Sequence, residues 1–376
     1  MIRYDAIFDA LKEGIVTGRY GVDRPIPSER ALMRMFGASR NAVRHAVDEL
    51  EKAHFVRRRH GCRTEVAYGG RGRRIGLIPC VADSEFFQPL ALKISQLCMD
   101  GGYSLLFAAT GPHDAVELKV EDYAAKVRAT VRDFVSQRVS GVLFQPVSFL
   151  PNARRINEEV LEIFRAAKIP VVLLDYDILE PPARSGCDVI GIDNVAAAAR
   201  LCAHLIERGA RRIHFFKRPN CSNVVMNRLR GVALGAVTGG LAWGPDCVLE
   251  CDLTDGRAIR RHLQGRNRPD AVVCGFDAMA PYLLSAATAA GLSVPKDLMI
   301  AGFDDSDSAK LMSPPLTTIH QPCAEIATAA FLRLEARMRE PDLSPQEIFL
   351  NAPLVERDST ARNEMMAKQK RKETAK

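Results

Sequence analysis

At 376 residues the chain exceeds the about 100–200 residues of one domain, so two or more folding units are expected, each able to bury a core without disulfides. The formal net charge of +7 is unevenly spread: residues 1–74 hold 16 Lys/Arg against 9 Asp/Glu, residues 75–360 hold 30 against 34, and the last 16 residues add +4. A basic head on a slightly acidic body points to a polyanion binding the head. The ten cysteines are scattered through apolar stretches, with no CxxC pair and no Cys/His cluster at zinc spacing, so they read as buried, reduced thiols and imply neither metal nor cofactor. No run approaches the about 18 apolar residues of a membrane span, and Met1-Ile2-Arg3-Tyr4-Asp5 has no apolar signal core. A cytoplasmic protein without membrane association is expected.

In the head, residues 1–68, Tyr4, Ile7, Phe8, Leu11 and Ile15 recur at helical spacing and predict an amphipathic helix closed by Gly18 and Gly21. A short second helix opens at Pro27-Ser28, with Ser28 as cap and Glu29 at the positive helix end, and stops at Gly37. The third starts from Ser39 and runs to about Ala53, with Val43, Ala46, Val47 and Leu50 facing inward and Asn41, Arg44, His45 and Asp48 outward. Arg40, Asn41 and Arg44 crowd its N-terminus, as they would on a recognition helix entering a major groove. Outward charge alone is ordinary for a solvated helix. What singles this one out is the Arg-rich hairpin that follows, Phe55 to Gly61 and then Thr64 to Val66, a wing that can lie along a minor groove and its phosphates.

The string "PSERALMRMFGASRNAVRHAVDELEKAHFVRRRHGCRTEV" resembles the GntR-type winged helix-turn-helix over its whole length. By that resemblance Arg30, Ser39, Arg40, Asn41, Arg44, His60 and Gly61 occupy DNA-contact positions. Arg63 departs from the pattern, standing where the family wing usually has a second glycine.

Residues 69–74, Gly-Gly-Arg-Gly-Arg-Arg, read as a flexible basic linker. A dinucleotide fingerprint is the sharper alternative and fails, because these glycines precede a strand instead of following one and opening a helix. From Ile75 onward nine short apolar strands alternate with amphipathic stretches, which predicts parallel sheets covered by helices. So many strands suit two doubly wound lobes, whose ligands sit at the carboxyl ends of the strands. The fold class expected is therefore α/β, with a basic tail over residues 361–376 that is disordered and solvated.

Residues 75–360 resemble the periplasmic-binding-protein-like sensor of LacI-type regulators, on "IGLIPCVADSEFFQPLALKISQLCMDGGYSLLFAAT", "IGIDNVAAAARLCAHLIERGARRIHFF", "NRLRGVALG" and, most specifically, "MIAGFDDSDSAKLMSPPLTTIHQP". A GntR-type head on this body is similar to the arabinose-repressor class. The resemblance implies a repressor that binds operator double-stranded DNA as a homodimer under control of a small, sugar-type effector held between the lobes. It carries an effector site onto Phe86, Phe87, Asp175, Arg228, Phe276, Asp277 and Asp304. Charged groups that bond hydroxyls and rings that cover an apolar sugar face suit a polyol. Each Asp alone reads as a loop or helix-cap residue, and the phenylalanine pair equally as lobe packing. Phe276 stands where sugar-responsive relatives often carry Asn, which leaves a nucleobase or aromatic effector open. His320 and Gln321 close the "LTTIHQ" strand at a lobe crossover. The rival reading is an α/β enzyme, since doubly wound sheets host many activities. Against it, no G-x-S-x-G elbow, P-loop or metal-spaced His pair is present.

Overall fold

The computed structural model describes residues 4–16, 19–20, 24–53, 55–58, 63–66, 74–80, 85–108, 120–180 and 182–362. His60 and Gly61, residues 69–73 of the linker and the tail from 363 lie outside the described residues.

The head holds α1 (Tyr4–Val16), α2 (Glu29–Phe36) and α3 (Arg40–Lys52), then the hairpin β1 (Val56–Arg57) and β2 (Glu65–Val66), paired Val56 to Val66 and Arg57 to Glu65. Its starts are set as the sequence predicts: Ser28 Oγ accepts the Ala31 N–H at 3.3 Å and Ser39 Oγ the Ala42 N–H at 3.3 Å. Ile7, Leu11, Ile15, Leu32, Val43, Ala46 and Leu50 are fully buried in one small core with Val56 and Val66 of the wing. Each helix therefore presents its polar side outward.

The body runs β3 (Arg74–Ile78), α4 (Phe87–Asp100), β4 (Ser104–Phe107), α5 (Val120–Ser136), β5 (Gly141–Phe144), α6 (Ala153–Ala166), β6 (Val171–Leu174) and β7 (Asp188–Ile192). It continues through α7 (Asn194–Glu207), β8 (Ile213–Lys217), α8 (Asn223–Thr238), β9 (Val248–Glu250), α9 (Gly256–Gln264), β10 (Ala271–Cys274) and α10 (Ala280–Ala289). Last come β11 (Met299–Asp304), α11 (Asp307–Leu311), β12 (Thr317–His320), α12 (Cys323–Arg339), β13 (Glu347–Leu350) and β14 (Leu354–Val355). Arg74 belongs to β3, so the linker ends one residue earlier than expected.

Two six-stranded sheets result, in the orders β13-β7-β6-β5-β3-β4 and β14-β12-β11-β10-β8-β9. All neighbours run parallel except β12 and β14. The chain passes between the lobes three times: β7 through α7 to β8, β12 through α12 to β13, and β13 to β14. The nine-strand expectation thus undercounts. β13 is an edge strand with alternately exposed and half-buried residues and β14 is two residues long, so neither writes the continuous apolar run that marks a buried parallel strand. Helix α7 lies against α8 closely enough that a Cβ on Gly231 would meet Val195 O at 2.3 Å; glycine is what lets the two backbones approach. That contact fixes α8 one turn beyond Arg228.

Candidate DNA interface and effector cleft

In the head, Arg30, Ser39, Arg40, Asn41 and Arg44 are all exposed, the last four on or capping the N-terminal half of α3. Glu29, at the start of α2, joins the arginines: its Oε2 is 3.4 Å from Arg40 Nε and its Oε1 3.4 Å from Arg44 Nε. One carboxylate so holds both guanidinium groups on the same outer face. Of the wing arginines, Arg58 pairs with Asp48 and Glu51 of α3 and Arg57 with Glu65 across the hairpin. These two brace the wing, which tempers the expectation that the wing's charge is all available to phosphates.

In the body, the carried-over residues converge where the carboxyl ends of the two sheets face each other. Asp175 directly follows β6, Asp304 ends β11, and Phe276 and Asp277 follow β10. Three acidic residues and one aromatic near this place adopt positive φ: Asp175 at 79°, Asp304 at 119°, Asp305 at 58° and Phe149 at 62°. Such backbone conformations cost about 1–3 kcal/mol each outside glycine and gather at functional sites. The cost is smallest for Asp, whose short polar side chain tolerates the left-handed region.

Arg228, on the second turn of α8 and 2% exposed, is the hub. Its Nε donates to Asn194 Oδ1 at 2.9 Å, its Nη1 to the Gly275 carbonyl at 2.8 Å and to Asp304 Oδ1 at 3.4 Å, and its guanidinium lies 4.5 Å from the Phe303 ring centroid. Gln321 Nε2 also donates to Asp304 Oδ1, at 2.7 Å. Burial pushes the Asp175 carboxyl up to about 6, against the pull of Arg228 and with a push from Asp304. Asp304 is likewise raised, chiefly by burial, with Arg228 opposing.

Asp277 is fully buried, and its oxygens are engaged inside the lobe. Oδ1 accepts from Thr318 Oγ1 at 2.8 Å, and Oδ2 from the Ser306 N–H at 3.1 Å and Ser306 Oγ at 3.4 Å. A Cβ on Gly302 would stand 2.2 Å from Oδ1, so glycine is required beneath the carboxylate. Asp277 therefore braces the cleft wall and presents no unengaged oxygen. Phe87 is fully buried in the first lobe's core with its ring 6.3 Å from that of Phe107, while the Phe86 carbonyl accepts from Cys323 Sγ at the start of α12.

Contacts absent from the sequence reading close the mouth. Phe149 of the first lobe meets Phe276 of the second edge-on, with centroids 6.0 Å apart, and carries the Arg218 guanidinium 5.1 Å from its ring. Glu85 of the first lobe accepts from Ser308 Oγ at 2.7 Å and from the Ser308 N–H at 3.3 Å in the second. Phe149, Arg218, Glu85 and Asn194 sit in loops or at a helix start, where periodicity is silent. A lone aromatic in the turn-forming stretch Gln145-Pro146-Val147-Ser148-Phe149 was the one available hint. Among the described residues no group of three or more His, Cys, Asp or Glu is placed to hold a metal ion, and no helix is long and apolar enough to cross a membrane.

Residues 3–66 match the family described as bacterial regulatory proteins, gntR family, and residues 202–360 the periplasmic binding protein-like domain. The chain is 29% identical over 329 residues to the HTH-type transcriptional repressor PurR of Vibrio vulnificus (strain CMCP6), spanning 86% of this chain and 90% of that one. To the ribose operon repressor of Escherichia coli (strain K12) it is 28% identical over 288 residues, 76% of this chain and 81% of that one. The solved transcriptional regulator CelR–cellobiose complex superposes with a TM-score of 0.65 at 20% identity, covering 89% of this chain and 100% of that one; at this identity the likeness is one of fold. The similar proteins are transcription regulators, not enzymes.

Proposed function

We propose, from the premise that the chain is a DNA-binding transcription regulator with a GntR-type head and a periplasmic-binding-protein-like effector domain, that a small sugar-type effector bound between the lobes releases it from operator DNA. The observation that carries this reading is the buried knot of Arg228, Asn194, Asp304 and Gln321, which faces Asp175 of the other sheet. A ligand seated there touches both lobes and favours their closed arrangement, a shift of populations that changes how the heads are held. Arg30, Ser39, Arg40, Asn41 and Arg44 read the operator, with His60 and Gly61 of the wing; Asp175, Arg228, Phe276 and Asp304 contact the effector, and Phe86 and Phe87 line or support the same wall.

The sensor dimerises. Leu92 and Met99 of α4 and Phe107 of the edge strand β4 are 74%, 75% and 46% exposed, large apolar side chains on neighbouring elements of one lobe. A homodimer of this kind sets two recognition helices about one helical turn apart on a pseudo-palindromic site. The protein acts in the cytoplasm. A second reading, a nucleobase-type effector, is favoured by the Phe149–Phe276 pair, whose rings suit a flat aromatic ligand.

The test is gel shift of the full chain on duplexes selected from random sequence, with and without a panel of sugars and nucleobases. Release by one member, lost in Arg228→Lys while operator binding persists, supports the reading. Release that survives Arg228→Lys and Asp175→Asn unchanged removes the cleft from the mechanism.

A further inference from the structure

We infer that the cleft is built for an uncharged ring that points hydrogen-bond donors at its floor, and that it turns away anionic ligands such as sugar phosphates, sugar acids and nucleotides. The inference rests on the reading that the effector lies between the lobes. Two buried acceptors carry it: Asp175 Oδ1 and Gln321 Oε1 have no hydrogen-bond partner among the described residues. Their residues are 7% and 2% exposed, so solvent is largely shut out. A buried acceptor without a donor is unfavourable, and a ligand that supplies one removes the penalty.

The surrounding donors are already engaged. Arg228 uses Nε on Asn194 and Nη1 on Gly275 and Asp304, and the Gln321 amide serves Asp304. The Thr318 and Ser306 hydroxyls serve Asp277. Among the described residues Arg228 Nη2 makes no hydrogen bond, and Asp175 Oδ1 and Gln321 Oε1 accept none. An anion, which brings acceptors of its own, finds the wrong complement.

Charge points the same way. On the floor Asp175 and Asp304 stand beside the single cation Arg228, and burial holds Asp277 well above the ordinary carboxylate range. The nearby Lys217 is paired with Glu250, and Asp305 with Arg357 and His320. A phosphate or carboxylate would find Arg228 already bonded to Asp304 and would add to the cost of ionising the buried Asp175. The Phe149 and Phe276 rings offer flat apolar surface to an uncharged ring.

The experiment is isothermal titration calorimetry on the full chain with matched pairs: D-ribose and D-ribose 5-phosphate, D-glucose and D-glucuronate, adenosine and its 5′-monophosphate. The sugar pairs and the nucleoside pair separate the two sources of such a ring. The expected result is that at least one uncharged member binds, that its anionic twin binds about tenfold or more weakly, and that Asp175→Asn narrows the ratio to about threefold. An anionic twin that binds as tightly as its partner, or a panel in which no uncharged member binds, overturns the inference. If an anion binds and Asp175→Asn or Arg228→Lys weakens it, the cleft reading stands and this inference alone fails. Binding that neither substitution touches fails the cleft reading itself.

Discussion

Arg228 Nε donates to Asn194 Oδ1 at 2.9 Å, and Asn194 is the first residue of α7, the helix that makes the first passage between the lobes. The group proposed to hold the effector is thus bonded directly to one of the connections between the lobes. On that proposal, a ligand that engages Arg228 also pulls on this connection. This gives the coupling a physical element instead of a route of mere adjacency.

Arg228→Lys keeps the charge but loses the planar fork that reaches Asn194, Gly275 and Asp304 at once. Operator affinity is expected to persist while effector response falls by the coupling typical of such switches, about 1–3 kcal/mol or roughly 5- to 150-fold. Arg228→Ala goes further, because it strands buried acceptors, and is expected to lower sensor stability by about 3–5 kcal/mol. Gel shift with and without effector, beside chemical denaturation of both variants, checks the pair.

Asp175 trades stability for binding. Its folded-state pKa, about 6, lies above the ordinary 3.8, so the folded state favours the protonated form and the residue's contribution to stability declines as pH rises from about 4 to about 6. Asp175→Asn is expected to stabilise the empty protein at pH 7.5 by about 1–3 kcal/mol and to weaken effector binding. A ligand that donates to the carboxylate prefers its ionised form, so wild-type effector affinity should rise as pH passes upward through about 6, and the variant should show no such rise. Titration calorimetry at pH 5.5 and 7.5 decides it.

Glu29 holds Arg40 and Arg44 on one face and so places a negative charge on the proposed DNA-contact face. Glu29→Gln is expected to raise affinity for nonspecific duplex by about threefold to tenfold and to reduce discrimination between operator and nonspecific DNA. Arg44→Ala should cost about 1–3 kcal/mol of that discrimination. Equal operator-to-nonspecific ratios for wild type and Glu29→Gln at matched salt would show that the carboxylate positions nothing.

His214 on β8 and His262 on α9 share a 2.7 Å contact between Nδ1 and Nε2, which accommodates a single proton. His214 is 1% exposed, and burial, with the neighbouring His262 next, brings it down from the ordinary 6.5 to about 4. The folded state excludes the proton, so the pair's contribution is complete above about pH 6.5 and is lost as pH falls toward 4. His214→Phe, an apolar ring on the strand position paired with Val272, is expected to remove this part of the acid sensitivity. Thermal midpoints of both proteins between pH 4 and 7 that fall in parallel would refute it.

The head was legible in the sequence nearly to the residue, because its signals are local. Ser28 and Ser39 cap by bonding N–H groups three residues on, and the buried stripe of Val43, Ala46, Val47 and Leu50 follows from helical spacing alone. The central strands of both lobes were legible for the related reason that a parallel strand covered on both faces must be continuously apolar. The acidic cleft residues were placed in sequence by a motif resemblance, but their division of labour was not. Asp277 follows β10 and Asp304 ends the adjacent β11, yet the first is consumed by Ser306 and Thr318 while the second stands with Arg228 and Gln321. Phe149 and Phe276 are 127 positions apart, Glu85 and Ser308 are 223 apart, and each pair meets only because two separately built sheets are brought face to face. Capping and periodicity act over a few residues and are written in the chain, whereas which polar group finds a partner across a cleft depends on where folding carries atoms that sequence leaves distant.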